Sequence, residues 1–219
     1  MGQWMNSPTE TSIVRDLPRR PVYHAVKRAT DLAAAIVGML LGAPVWLGIG
    51  LLIKLTGPGP AIYSQLRVGF RGRPFRIYKF RSMIMDAHAQ LKNLVDLDRL
   101  DVPGFKLRDD PRVTPLGRFL RRTGLDEVPQ LWNVLRGEMS LVGPRPELPE
   151  FVARYTPEQR RRLEAKPGIT GYQQVHARGK PLAGCIHLDM FYIGHQSLSL
   201  DLQILLQTVW VVLRGKGVA

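Results

Sequence analysis

From Leu32 to Ile53 the chain carries 22 consecutive residues without a formal charge. As a straight α-helix such a run is about 33 Å long, just enough to cross a hydrocarbon layer of about 30 Å. Two features argue against simple crossing. Cations crowd both flanks, with Arg15, Arg19, Arg20, Lys27 and Arg28 before the run and Lys54, Arg67, Arg71 and Arg73 after it. Positive charge favours the cytoplasmic side, so both ends are expected on that one side. Pro44 stands near the middle, where it removes a helical hydrogen bond, and Gly38, Gly42, Gly48 and Gly50 soften the helix around it. The run predicts a helix that enters the membrane, bends and returns to the face it left.

The whole chain has 219 residues, enough for one sizeable buried core beside a membrane attachment. The expected division is a flexible lead-in at 1–21, a re-entrant membrane hairpin at 22–56 and a single domain at 57–219. The lead-in mixes Ser, Thr, Pro and charge without an apolar core, so it is neither a signal peptide nor a folded element. A net charge of +13 admits nucleic acid, anionic lipid or phosphorylated substrates as partners, and charge alone does not choose among them. The single cysteine, Cys185, excludes an intrachain disulfide and a cysteine-based zinc site.

Beyond the Gly-Pro hinge at 56–60, Ile62, Ser64, Leu66 and Val68 alternate with Tyr63, Gln65 and Arg67, and Phe75, Ile77 and Lys79 alternate with Arg76 and Tyr78. This predicts a β-hairpin turning across Gly69–Arg73, whose turn arginines read as solvated. Asp86–Leu100 reads as a solvated helix. Glu147–Lys166 reads as one or two amphipathic helices with Arg160, Arg161 and Arg162 on the polar side. Leu200–Leu213 reads as an interfacial amphipathic helix. The fold class is α+β: a small helix-rich domain with a β-hairpin, a re-entrant membrane helix and interfacial amphipathic helices.

The chemistry concentrates in Thr123–Pro146, TGLDEVPQLWNVLRGEMSLVGPRP. Leu125, Val128, Leu131, Trp132 and Leu135 keep helical spacing, and Pro129 fits only a first turn. Asp126 and Glu127 are therefore expected at a helix N-terminus, where free N–H groups favour anions. Neighbouring helical residues diverge by about 100°, so one acid can face a substrate while the other holds a cation. A carboxylate can attack phosphorus, and a second can bind Mg²⁺ against diphosphate charge. Among Arg112, Arg118, Arg121 and Arg122 just upstream, Arg118 is the one expected to contact substrate phosphate. Gly143-Pro144-Arg145-Pro146 makes a rigid extended turn bearing one guanidinium.

DEVPQLWNVLRGEMSLVGPRP resembles the signature of the bacterial sugar transferases, the monotopic phosphoglycosyl transferases, and the likeness runs from about Lys27 to the C-terminus. YKFRSM, KPGITGYQQVHARG and LDMFYI continue it in order. The resemblance implies an enzyme that moves a sugar phosphate from a UDP-sugar to a membrane polyprenyl phosphate, with Mg²⁺ as cofactor and membrane lipids as surroundings. It makes Asp126 the nucleophile and Glu127 the metal ligand, and it assigns substrate contacts to Lys79, Arg81, Arg145 and Arg178. Asp189 would orient a basic group of the site. It implies a monotopic protein of the bacterial inner membrane with its catalytic domain on the cytoplasmic face and Arg28 ion-paired with Asp31 near the interface. The chain would be a minimal member, without the transmembrane helices that precede the catalytic region in larger relatives; a homodimer stays open. Three departures stand out: Ala43 replaces the Ser that often precedes the helix-bending Pro44, His176 and Ala177 replace a common Asn-Gly, and the acidic, aromatic-containing segment usual before LDMFYI is missing. Sugar specificity cannot be read across that gap.

Two other classes compete with this reading. A non-catalytic basic scaffold binding membrane or nucleic acid would fit the charge, but the chain shows no helix-turn-helix, zinc or RNP pattern and no aromatic stacking series, so nucleic acid is not an expected partner. A two-carboxylate glycosidase needs acids flanking a glycosidic bond, which adjacent residues on one helix do not provide.

Overall fold

The computed structural model describes residues 20–85, 87, 110–177 and 184–214. The lead-in up to residue 19, nearly all of the helix expected over 86–100, and Arg178 lie outside the described residues.

Helix α1 (Pro21–Leu55) opens on Pro21, whose fixed φ suits a first helical position. It closes at Thr56, whose hydroxyl donates to the Ile53 carbonyl at 2.8 Å. Pro44 lies inside α1 without ending it. Only 11% of its most apolar 18-residue window is buried, with Leu40, Leu41 and Leu47 fully solvent-facing. A core helix would show the reverse, so α1 keeps its apolar surface for something other than protein.

Both halves of α1 nevertheless rest on the same domain. Ala35 packs with Phe75, Ile77, Val134 and Met139, while Ile49 and Ile53 pack with Phe80 and Leu120. Arg28 donates to the Val134 and Leu135 carbonyls at 2.6 and 2.9 Å. Asp31 accepts from the Leu141 N–H at 3.1 Å. The ion pair expected between Arg28 and Asp31 is replaced by these contacts, because the end of a helix leaves carbonyls that a guanidinium can satisfy.

The hairpin forms as its alternation predicts. Strands β1 (Ile62–Val68) and β2 (Pro74–Phe80) pair antiparallel from Ile62↔Phe80 to Val68↔Pro74, around a turn in which Arg71 takes a left-handed φ of 55°. Next come α2 (Pro115–Thr123), a 3₁₀ segment (Leu125–Gln130), α3 (Leu131–Leu135) and β3 (Ser140–Val142). After them lie α4 (Pro149–Ala153), α5 (Pro157–Arg160), a second 3₁₀ segment (Arg161–Glu164) and β4 (Gly168–Thr170). The chain closes with α6 (Tyr172–His176), α7 (Ile186–Gly194) and α8 (Leu198–Leu213). Buried Asn133 locks α3 to β2: its amide donates to the Arg76 carbonyl at 2.7 Å and accepts from the Tyr78 N–H at 3.2 Å.

Strands β3 and β4 form a short parallel pair, Ser140↔Gly168 and Val142↔Thr170. A Cβ on Gly168 would lie 2.1 Å from the Gly143 nitrogen, and one on Gly143 would lie 2.2 Å from the Lys166 carbonyl. Only glycines let these two backbones touch. Helix α8 buries Ile204 with Val142, Tyr192 and Ile193 and leaves Leu202, Leu206, Val209, Trp210 and Leu213 exposed, the one-sided pattern of an interfacial helix.

Candidate active site

Gly124, at φ 74°, turns the chain out of α2 in a left-handed conformation and starts the segment that carries both acids. The expected α-helical N-terminus is not what forms there. Asp126 and Glu127 lie in a six-residue 3₁₀ segment followed by the five-residue α3, and the Glu127 N–H already donates to the Gly124 carbonyl at 3.1 Å. In an α-helix the Pro129 ring would strike the Leu125 carbonyl, and the tighter 3₁₀ turn avoids that. A helix dipole therefore contributes little, and the favourable field for anions comes from cations.

Those cations are Lys79, at the end of β2, and Arg145, on the Gly-Pro-Arg-Pro loop. Lys79 Nζ lies 2.6 Å and Arg145 Nη1 3.3 Å from Glu127 Oε1. Burial alone would raise the Glu127 carboxyl, but Lys79 and Arg145 outweigh it and hold the group down to about 2. Asp126 is buried at 8% exposure and forms no hydrogen bond or ion pair with a described residue. Burial first, and the Glu127 charge second, push its carboxyl above the ordinary range, while Lys79, Arg121 and Arg145 pull it back. The adjacent acids are thus inequivalent: one is neutralised by two cations, the other is desolvated and uncommitted.

Arg145 is placed by its backbone. The Gly168 N–H donates to the Pro144 carbonyl at 3.0 Å and the Gly143 N–H to the Thr170 carbonyl at 2.9 Å, zipping the loop to β4. Arg67 Nη1 donates to the Pro146 carbonyl at 3.3 Å, and Arg162 Nη2 to the Arg145 carbonyl at 3.2 Å. Behind the loop Arg162 is held by Asp189, at 2.8 Å through Nε and 2.7 Å through Nη2, and by the Tyr155 hydroxyl. Asp189 thus holds the Arg162 guanidinium and reaches the Arg145 backbone only through it. Breaking so buried a pair from one side costs about 3–5 kcal/mol. Asp189→Asn should therefore lower the thermal midpoint in nanodiscs by roughly 6–20 °C, read by differential scanning fluorimetry; an unchanged midpoint would contradict this role.

A small cavity opens beside Glu127, lined by Arg67, Ile77, Lys79, Glu127, Gln130, Arg145, Pro146, Gly168 and Ile169. Its cations suit phosphate oxygens. Among the described residues no three His, Cys, Asp or Glu side chains gather to cage a metal. Mg²⁺ needs only one or two carboxylates when substrate phosphates complete its shell, so Glu127 on the wall of this cavity fits that ion.

Of the residues singled out in the sequence, Lys79, Asp126, Glu127 and Arg145 converge here. Arg81 does not: it donates to the Ile53 and Gly57 carbonyls at 2.9 Å and to the Pro58 carbonyl, capping the end of α1, where helical carbonyls lack partners. Arg118 points to solvent. Arg121 of the same helix instead reaches inward, donating to Ser82 Oγ at 2.9 Å, and its charge acts on Asp126. Thr114, Gly117 and Arg121 share a helical face, and that spacing was the available signal. Arg67, counted in the sequence among the cations flanking the apolar run, lines the cavity, and Arg162, expected on a polar face, is 3% exposed.

The family model for bacterial sugar transferases matches residues 22–215. The chain is 45% identical over 193 residues to galactosyl transferase CpsE of Streptococcus agalactiae, covering 87% of this chain and 43% of that protein. It is 41% identical over 197 residues to the undecaprenyl-phosphate galactose phosphotransferase of Salmonella typhimurium, covering 88% and 41%. These two relatives are more than twice as long as the matched region. Exopolysaccharide production protein ExoY of Rhizobium meliloti is 35% identical over 218 residues, with 96% of this chain and 93% of that protein covered. The matched span contains the long apolar helix, the acid pair and the loop that carries Arg145, and by this match the chain belongs to the bacterial sugar transferase family.

Proposed function

We propose that the protein transfers a sugar-1-phosphate from a UDP-sugar to undecaprenyl or another polyprenyl phosphate, through a covalent intermediate on Asp126. The observation that carries this reading is the asymmetry of the acid pair: buried Asp126 has no partner among the described residues, while Glu127 is clasped by Lys79 and Arg145. An Asp126 oxygen attacks the sugar-bearing phosphorus, the bond from that phosphorus to the bridging oxygen breaks, and UMP leaves with the electron pair. An oxygen of the lipid phosphate then attacks the same phosphorus, the acyl-phosphate bond breaks, and Asp126 returns as a carboxylate. Lys79 and Arg145 face the phosphate oxygens and reduce charge repulsion. Glu127 would hold Mg²⁺, which supplies further neutralisation of the diphosphate. The acceptor is already an anion, so no general base is required.

Relatives named for galactose, glucose and N-acetylgalactosamine transfer to undecaprenyl phosphate support the reaction class and differ in sugar. Incubating the protein in nanodiscs with polyprenyl phosphate and a panel of UDP-sugars should release UMP with at least one of them. Release with none, in the presence of Mg²⁺, would refute the reading.

We further propose that α1 is re-entrant and that the domain faces the cytoplasm. Gly38 lies against Leu131, while Trp46 and Ile49 cluster with Leu125 and Val128. Residues 38 and 49 would be about 16 Å apart on a straight helix, yet their contacts fall on one short stretch of chain. Cysteines introduced at Val22 and Arg71, both exposed, should react with an impermeant maleimide from the same, cytoplasmic side. Labelling from opposite sides would make α1 a spanning helix.

A further inference from the structure

The cavity beside Glu127 contains a polar group that the mechanism above does not use. Gln130 is 2% exposed, it lines the cavity, and its Nε2 has no hydrogen-bond partner among the described residues. A buried donor left unpaired costs about 1–3 kcal/mol, so a side chain of this kind is expected to find a partner that the ligand-free protein lacks. Its placement follows from the 3₁₀ geometry: residues three apart eclipse one another in such a turn, which puts Gln130 in line with Glu127 on the cavity side. Arg67 Nε, also buried and without a partner, lines the same space. With Lys79 and Arg145 the wall presents four kinds of N–H donor against one carboxylate. Such a surface is complementary to a ligand rich in acceptor oxygens and poor in hydrogens, as a phosphoryl group is.

Resting on the transferase reading, we infer that Gln130 is a substrate-contacting residue whose carboxamide donates a hydrogen bond to an oxygen of the phosphoryl group that is transferred, with Arg67 Nε as a second donor. A neutral donor has a specific advantage at that point. It stabilises the phosphate without competing for Glu127, which a further cation would bind and withhold from Mg²⁺. Gln130 keeps its contact after UMP has left, because the transferred phosphorus stays on Asp126, so both half-reactions depend on it.

The test uses Gln130→Met, which keeps the volume and removes the donor, in full-length protein in nanodiscs. Removing an unsatisfied buried donor relieves a penalty, so the thermal midpoint should rise by roughly 2–12 °C. The same variant should release UMP from the donor that the wild type uses about 10- to 100-fold more slowly. Inorganic pyrophosphate should bind it about 10- to 100-fold more weakly by calorimetry. Gln130→Glu, with an acceptor in place of the donor and an added negative charge, should be worse than Gln130→Met in both rate and binding. A lowered midpoint together with lowered activity would assign Gln130 a packing role, and unchanged rate and pyrophosphate affinity would remove it from the substrate; either result overturns the inference. Should wild type release no UMP from any donor, the transferase reading fails, and the pyrophosphate comparison still decides whether Gln130 binds phosphate.

Discussion

Protein incubated with Mg²⁺ and its UDP-sugar, without lipid acceptor, should gain the mass of one sugar phosphate on Asp126 and release about one equivalent of UMP. The expectation follows from charge. Bringing a lipid phosphate directly against a diphosphate in one step sets two anions together, whereas a fixed carboxylate displaces UMP first and that product can leave before the lipid phosphate attacks. Asp126 suits the task because it is 8% exposed and committed to no described partner, so attack sacrifices no ion pair and little hydration. Asp126→Asn should show no adduct and lose turnover by at least about 10⁴-fold, the scale seen when a nucleophile is removed. Kinetics with both substrates should be ping-pong. UMP release that waits for acceptor, an adduct on another residue, or an active Asp126→Asn would each rule out the two-step route.

Glu127→Gln is the second large effect, a loss of roughly 10²- to 10³-fold in turnover, equivalent to about 3–4 kcal/mol. Two causes combine, and they separate experimentally. The amide is a poorer ligand for Mg²⁺ than the carboxylate. It also strips Lys79 of the group 2.6 Å away that offsets its burial. If the metal contribution dominates, the Mg²⁺ concentration for half-maximal rate rises sharply and Mn²⁺ restores part of the activity. If the ion pair dominates, the Mg²⁺ dependence stays put and the thermal midpoint falls. Wild-type turnover that persists in excess chelator would eliminate the metal altogether.

The parts legible in the sequence were those governed by local rules. Alternation from Ile62 to Lys79 specified the hairpin and its turn, because side chains on successive strand residues face opposite ways whatever packs on them. The apolar spacing of Leu202, Leu206, Val209 and Leu213 specified the one-sided α8 for the same kind of reason. Arginine fates were not legible. Nothing in the residues flanking Arg67, Arg81 and Arg162 separates their fates, yet one lines the cavity, one caps α1 and one holds the Arg145 backbone. Each outcome depends on carbonyls or carboxylates brought in from 17 or more residues away. The setting of the acid pair was not legible either, since Gly124 and Pro129 together tighten the turn to 3₁₀ and hand the electrostatic work to Lys79 and Arg145. Gln130 was passed over because a neutral amide between Pro129 and Leu131 gives no sign of burial.

The contacts of Arg28 and Asp31 also order events during synthesis. Their partners lie 106 to 110 residues downstream, which at a ribosomal rate of about 5–20 residues per second means a wait of roughly 5–20 s. Throughout that interval the guanidinium and the carboxylate have only water to satisfy them, and a charge in the bilayer core is costly. On the re-entrant reading proposed above, the nascent segment would be moored at the surface by its own foot while its apolar stretch dips into lipid. The rest of the chain, when it emerges, folds onto an anchor already set at the right depth.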